Sequence, residues 1–388
     1  MKETLEQLEQ YGVEVILGRI NTLRARVLRA LLWLLSRVYA RLVRLRLWMF
    51  RKRVFRDHDL GCMVISIGNL TVGGTGKTPV VEMFARALQA HGRNVAVLSR
   101  GYKSQKVKRK KTIFGKAPPE PPPRVVSDGN ELLLDSLHAG DEPYMLAANL
   151  PGVPVVVDKN RVKGGRHALR HLDVDTLLLD DGLQYARMRR RIDVVLVDRT
   201  APFGNEHLLP RGTLREPPAN LRRASYILLT KCNGEPNDAI IARMRKYNRT
   251  AEIIECTHRP RYLQHLVTGE RLALGELQDK YVGAISGIAV PEGFERGLAK
   301  LGAKVEVVER YADHHRFAEK EVTGFLDRCL RRDLHMVVTT EKDAVRFPPL
   351  PRLDIPVYFL RIEIDILNGK EHFDACIRRI CEPPVWNR

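Results

Sequence analysis

Residues 64–88 read VISIGNLTVGGTGKTPVVEMFARAL: an apolar run, a turn built on GGTGKT, then an amphipathic stretch. Few folds accommodate that order. A glycine-rich turn at a helix N-terminus points backbone N–H groups inward, where they and the helix dipole hold phosphate oxygens. Gly73, Gly74, Thr75 and Gly76 supply the turn. Lys77 supplies the charge that reaches the outer phosphates, and Thr78 a hydroxyl for a divalent cation. Pro79 falls in the first helical turn, where its missing N–H is harmless. The usual spacing would place one more glycine at position 71, which is Thr71. With a strand before it and a helix after it, the turn still reads as a nucleotide-binding P-loop.

A P-loop needs an acidic strand end to hold Mg²⁺ or its waters. The run TLLLDD ends in Asp180 and Asp181, both candidate metal residues together with Thr78. Asp198, at the end of IDVVLVD, is a weaker rival.

The remaining apolar runs are MVISIG, VAVLSR, VPVVVD, TLLLDD, IDVVLVD and YILLTK, with helical stretches between most of them. Continuous rather than alternating runs predict strands buried on both faces, hence a parallel sheet. A second series follows from Tyr281: YVGAISGI, a helix over 292–301, KVEVVERY, a helix over 318–331, HMVVTT and VYFLRIEIDI. The expected fold is α/β, with a P-loop NTPase-type parallel-sheet core and a second, smaller α/β domain. Boundaries are expected at 1–60 for an N-terminal amphipathic helix, 61–250 for the core and 251–388 for the C-terminal domain, with 250–280 as the connection. A length of 388 residues and 44% hydrophobic content suit two or three domains with a sizeable core.

The net charge of +19 is unevenly spread. Residues 19–56 hold twelve Arg or Lys and no Asp or Glu. The longest uncharged run there is seven residues, Ala30 to Ser36, whereas a membrane span needs about 20. On a helix, Arg19, Arg26, Arg29, Arg37, Arg41, Arg44 and Arg51 share one face, and Leu28, Leu31, Leu35, Val38, Leu42 and Met49 lie roughly opposite. Such a helix lies in the headgroup plane of an anionic membrane. The basic character is therefore local, which argues against nucleic acid as the partner. A basic and then proline-rich stretch over 103–124 reads as a solvated loop. Six cysteines show no C-x-x-C pair, which suits a reducing compartment. The first fifteen residues carry four Glu and one Lys, so no signal peptide is expected.

P-loop proteins include switches and motors as well as kinases. A GTP switch would carry N-K-x-D, which TKCN at 230–233 lacks. A nucleic-acid-dependent ATPase would line its α/β core with bases. Several polar stretches speak for a kinase instead: LSRGY (98–102), GDEPYMLA (140–147), VVVDKNRVKGG (155–165), LDDGLQ (179–184), PFGNEHLLPRGTLREP (202–217), SGIAVPEGF (286–294), DHH (313–315) and VVTTEKDAVRF (337–347). With ISIGNLTVGGTGKTP, they make the chain resemble the tetraacyldisaccharide 4′-kinases of lipid A biosynthesis, in family order from about residue 60 to 350. The imperfect glycine spacing is also usual in that family.

The resemblance implies transfer of the γ-phosphate of ATP to the 4′-hydroxyl of an acylated disaccharide 1-phosphate, forming lipid IVA. It also implies Mg²⁺ and a peripheral position on the cytoplasmic face of the inner membrane. It places a catalytic pair, Asp141 and His314, at the acceptor hydroxyl; these belong to different expected domains, which would close around the nucleotide. Arg100, Arg215 and Glu216 are implied near substrate or nucleotide, and Glu341 to Asp343 facing the nucleotide. The family usually continues LDDGFQH, whereas this chain reads LDDGLQY, with Tyr185 in place of an imidazole.

Overall fold

The computed structural model describes residues 11–101, 120–350 and 354–382. Residues 1–10, where no signal peptide is expected, and most of the 103–124 loop lie outside them. Residues 11–17 are helical and precede α1 (Leu23–Arg51). The first half continues with β1 (Met63–Asn69), α2 (Lys77–Ala90), β2 (Val95–Ser99), β3 (Arg124–Ser127), α3 (Ser136–Ala139), α4 (Asp141–Asn149), β4 (Val155–Val157), α5 (Arg161–His171), β5 (Thr176–Asp180), β6 (Ile192–Asp198), β7 (Tyr226–Thr230) and α6 (Asp238–Arg245). The second half holds β8 (Glu252–His265), β9 (Arg271–Ala273), β10 (Tyr281–Ser286), α7 (Pro291–Lys300), β11 (Lys304–Arg310), α8 (Glu319–Leu330), β12 (Met336–Thr340), α9 (Glu341–Ala344), β13 (Val357–Asn368) and α10 (Lys370–Cys381).

Among the described residues all strands join one 13-stranded sheet in the order β11-β10-β12-β13-β8-β7-β6-β1-β5-β2-β4-β3, with β9 on β8. The expected parallel core is present: β1 lies between β5 and β6 and is parallel to both. Six of its seven residues are buried, because helices cover both faces. On one face α2 inserts Val80, Val81, Phe84, Ala85 and Leu88, a helical spacing that turns one side to the sheet. On the other, α5 covers Val64, Leu98, Leu177 and Leu179.

Within the expected connection 250–280, Glu252–His265 form β8, which pairs in parallel with β7 and antiparallel with β13. This long ribbon carries the sheet from one half of the chain to the other. The C-terminal α10 returns to the first half, and Phe373 meets Phe84 edge-on at 5.1 Å.

The helix α1 touches the body through the buried Ala25, Ser36 and Ala40. Leu31, Leu34, Leu35, Val38, Leu42 and Leu45 stay exposed along another side. Among the described residues no helix is long and apolar enough to cross a membrane.

Candidate active site

Strands β1, β5 and β2 run parallel, so Asn69, Asp180 and Ser99 come together at their carboxyl ends. Open α/β sheets bind ligands in the crevice at this edge. The glycine turn leaves β1 here and is braced from two sides. Asn69 Nδ2 donates to Thr75 Oγ1 at 2.9 Å, and Thr230 Oγ1 donates to the Thr75 carbonyl at 3.2 Å. Gly76 has φ 76°, and a Cβ there would lie 1.9 Å from Nε2 of His258, so only glycine fits. Burial, helped by Lys231, pushes the His258 imidazole down to about 4, which keeps it neutral.

Lys77, Asp181 and Arg215 form one charged group. Lys77 Nζ lies 3.8 Å from Asp181 Oδ1 and 3.5 Å from Asn69 Oδ1. Arg215 grips Asp181 with two parallel bonds, at 2.7 and 2.8 Å, and also bonds Asn69 Oδ1. Burial pushes Asp181 up, but the bonds from Arg215 and the charges of Lys77, Arg215 and Arg161 outweigh it and hold the carboxyl at about 2. Asp180 behaves oppositely. Burial first, then Glu142 and Asp181, push it up to about 6. Ser99 Oγ donates to its Oδ2 at 2.9 Å, whereas its buried Oδ1 has no hydrogen-bond partner among the described residues. Thr78 is half-buried in the first turn of α2.

A second cluster forms around Asp141, the first residue of α4. His314 Nδ1 lies 3.1 Å from Asp141 Oδ2, and Lys342 Nζ lies 3.3 Å from His314 Nε2. An ammonium only donates, so Nε2 accepts there, while Nδ1 faces both Asp141 Oδ2 and the Arg346 guanidinium, whose Nη2 lies 3.1 Å away. Arg346, with no exposed side-chain surface, donates from Nε to Asp141 Oδ2 at 2.7 Å and from Nη1 to Asp343 Oδ1 at 3.0 Å. Arg316 adds a bond to Asp141 Oδ1 at 3.2 Å. Burial pushes Asp141 up, yet the His314 bond and the two arginines hold it below the usual carboxylate range. Helix α4 packs on α2, so this cluster neighbours the helix that follows the glycine turn.

Other expected residues take varied places. Glu216 is buried and committed to Asn220 and Arg223. Arg100 is exposed after β2, its charge felt by Arg161. Glu341 pairs with Arg361, and Asp198 with Lys231. The Tyr185 hydroxyl bonds Asn160 Oδ1 at 3.2 Å, and the Arg161 guanidinium lies 5.2 Å over its ring. Arg161 in turn donates to the Asp180 carbonyl at 3.0 Å. Tyr185 therefore supports Arg161 and acts on the acidic strand end through it. Sequence reasoning missed Asn69, Arg161, Arg316 and Arg346. Asn69, Arg161 and Arg346 lie inside quoted motifs, where a polar end on an apolar strand, an arginine after VVVDKN and an arginine after TTEKDAV are visible signals.

The family model described as tetraacyldisaccharide-1-P 4′-kinase matches residues 28–382. The chain belongs to that family. A tetraacyldisaccharide 4′-kinase of Syntrophus aciditrophicus is 38% identical over 337 residues, covering 83% of this chain and 85% of the relative. One from Anaeromyxobacter dehalogenans is 40% identical over 326 residues, covering 82% and 81%. Among solved structures, LpxK from Aquifex aeolicus in complex with ATP is similar with a TM-score of 0.72 and 28% identity, over 92% of this chain and 100% of that one. The kinase thus carries its glycine turn and its Asp141 cluster on a fold like that of the ATP-bound Aquifex relative.

Proposed function

We propose that the Lys77 cradle and the Asp141–His314 pair act on one phosphoryl transfer, from ATP to the 4′-hydroxyl of tetraacyldisaccharide 1-phosphate, giving lipid IVA. The transfer is the activity of the family, and the ATP complex of the Aquifex relative supports the donor. One observation carries the division of labour: each charged cluster is complete in itself, and both stand on α2 and its neighbour α4.

The transferred phosphoryl group passes through a loose transition state, so positioning and charge do most of the work. Backbone N–H groups from Gly73 to Thr78 cradle the phosphates, and Lys77 draws the outer oxygens. Asp141 is a weak base with its lowered pKa, which suits a group that orients the hydroxyl and takes its proton late. His314 and Arg346 hold that carboxylate in one orientation. The residues present fit Mg²⁺: Asp180 Oδ1 lacks a partner, Asp181 is ionised, and the Thr78 hydroxyl opens α2. Such an ion is usually held by one or two carboxylates together with substrate phosphates. An ion held there by Asp180, Asp181 and the Thr78 hydroxyl would supply neutralisation of charge on the phosphates. Arg215 keeps Asp181 ionised and aimed, and from its place in the 202–217 loop it also borders the acceptor side; Arg100 is exposed beyond β2 and free to meet substrate, whereas the buried Glu216 supports that loop through Asn220 and Arg223. Residues 251–388 close against 61–250 around the nucleotide and exclude water.

The helix α1 serves the lipid. Its exposed leucines and its arginines suit an anionic membrane surface, on the cytoplasmic face where ATP is found, and not nucleic acid. Tyr39 on α1 donates to the Arg215 carbonyl at 3.0 Å, which puts the membrane-facing helix beside the site. Incubation with Mg-ATP and the acceptor tests the reading. Mass spectrometry should show one added phosphate; no product where a relative yields one rejects it.

A further inference from the structure

Arg361, on β13, is 2% exposed and belongs to neither charged cluster. Its Nη1 donates to both oxygens of Glu341, at 2.9 and 2.8 Å, and its Nη2 bonds Glu82. Glu82 is buried on α2, the helix that Lys77 opens. Glu341 opens α9, and the residues after it reach the second cluster: Lys342 contacts His314, and Arg346 bonds Asp141. Asn149, at the end of the helix that Asp141 begins, approaches Glu82 at 3.5 Å and also bonds Glu341 at 2.5 Å. One guanidinium therefore joins the helix of the phosphate cradle to α9, and Lys342 and Arg346, which follow Glu341 in the chain, contact His314 and Asp141.

Stability alone does not call for this arrangement. Burying a charged cluster costs desolvation, and apolar groups of similar volume are often as stable in such places. What a guanidinium adds is geometry, since its planar fork sets two carboxylates at a fixed spacing and angle. Transfer rates respond to that geometry: a misplacement of about 1 Å far from the chemistry costs about 10²-fold. We infer that Arg361, with Glu82 and Glu341, is a positioning unit that sets the Lys77 cradle in register with Asp141 and His314, and so governs transfer and not nucleotide binding. The inference rests on the reading of Asp141 and His314 as the acceptor-side pair.

Two variants of the full chain test it. Arg361→Lys keeps the charge and loses the fork. The double variant Glu82→Gln with Arg361→Met removes the link on the cradle side and the guanidinium together, with an apolar group of similar length in its place. ATP affinity, measured by calorimetry, counts the competent sites, and kcat is expressed per site. Both variants should bind ATP within about threefold of the parent while kcat falls about 10²-fold. A kcat per site within threefold of the parent overturns the inference, as does a rise in KM for ATP with kcat unchanged. Asp141→Asn serves as the reference. If it is slow while the Arg361 variants are normal, only the inference fails; if it is fully active, the reading of the pair fails first.

Discussion

Nδ1 of His314 lies 3.1 Å from Oδ2 of Asp141, across 173 residues of chain. His314 reaches that point with φ 67°, a left-handed conformation that a non-glycine residue rarely adopts. Its N–H donates to the Gly287 carbonyl at 3.2 Å, and Arg346 donates to the same carbonyl at 3.1 Å. The strained backbone is thus held by the arginine that also holds Asp141. Strain fixed in this way commonly marks a functional site.

Arg346 sets the charge of Asp141. Burial alone would raise that carboxyl, and the His314 bond with the charges of Arg346 and Arg316 lowers it instead. A lowered carboxyl adds stability above its unfolded pKa and loses it as pH falls through the folded one. Arg346→Gln should move the acid limb of the rate profile to higher pH and lower stability by about 3 kcal/mol. A pH–rate series and thermal unfolding check both; an unmoved acid limb refutes the role.

Asp180 and Asp181 are neighbours with opposite electrostatics. Asp180, raised to about 6, is destabilising when ionised, so its cost grows between about pH 4 and pH 6 and is complete above. In the nucleotide-free protein, Asp180→Asn should add about 2 kcal/mol at pH 7.5 and almost nothing at pH 4. Asp181, held at about 2, stabilises at neutral pH and loses that contribution only as pH falls through its folded value. Asp181→Asn should lower Tm at pH 7.5. Equal signs for the two variants at pH 7.5 would contradict this account.

Gly76→Ala tests the packing under the cradle. An added Cβ would meet the His258 ring at 1.9 Å in a left-handed conformation. The conformation alone costs about 1–2 kcal/mol, before any movement of His258. Thermal unfolding should show at least that loss, with weaker ATP binding. A melting curve identical to the parent's would mean that the ring swings away freely.

The core was legible because its signals are local. A glycine turn between an apolar run and an amphipathic stretch needs no tertiary information, and neither do strands such as YILLTK. The 252–265 segment reads as part of a connection because EIIECTHRPRYLQH carries eight polar or charged residues and a proline, and few of its residues are fully buried. Its partner strand and the antiparallel pairing supply what the sequence does not show. Arg361 was equally hidden, since a charge within VYFLRIEIDI reads as a solvent-facing position until Glu82 and Glu341 close on it. Asp141 and His314 came from resemblance, and only the fold brings them together.

The exposed leucines of α1 predict where the kinase sits. Leu31, Leu35 and Leu42 are half or nearly half exposed, so Leu→Ser changes there should leave stability within about 0.5 kcal/mol. Partitioning onto anionic vesicles should weaken about tenfold or more for the triple variant, because each buried leucine contributes on the order of 1 kcal/mol or more. Vesicle sedimentation at low and high salt reads both contributions. Unchanged partitioning would exclude this side of α1 as the membrane face.

The central claim is that Asp141 serves the acceptor hydroxyl and leaves the nucleotide to the Lys77 cradle. Single-turnover transfer by Asp141→Asn, with its ATP affinity measured on the same sample, tests this most directly. The account predicts an ATP Kd close to the parent's and a transfer step slowed by at least about 10²-fold. Transfer at the parent rate, or a slow rate explained wholly by lost ATP binding, would contradict it.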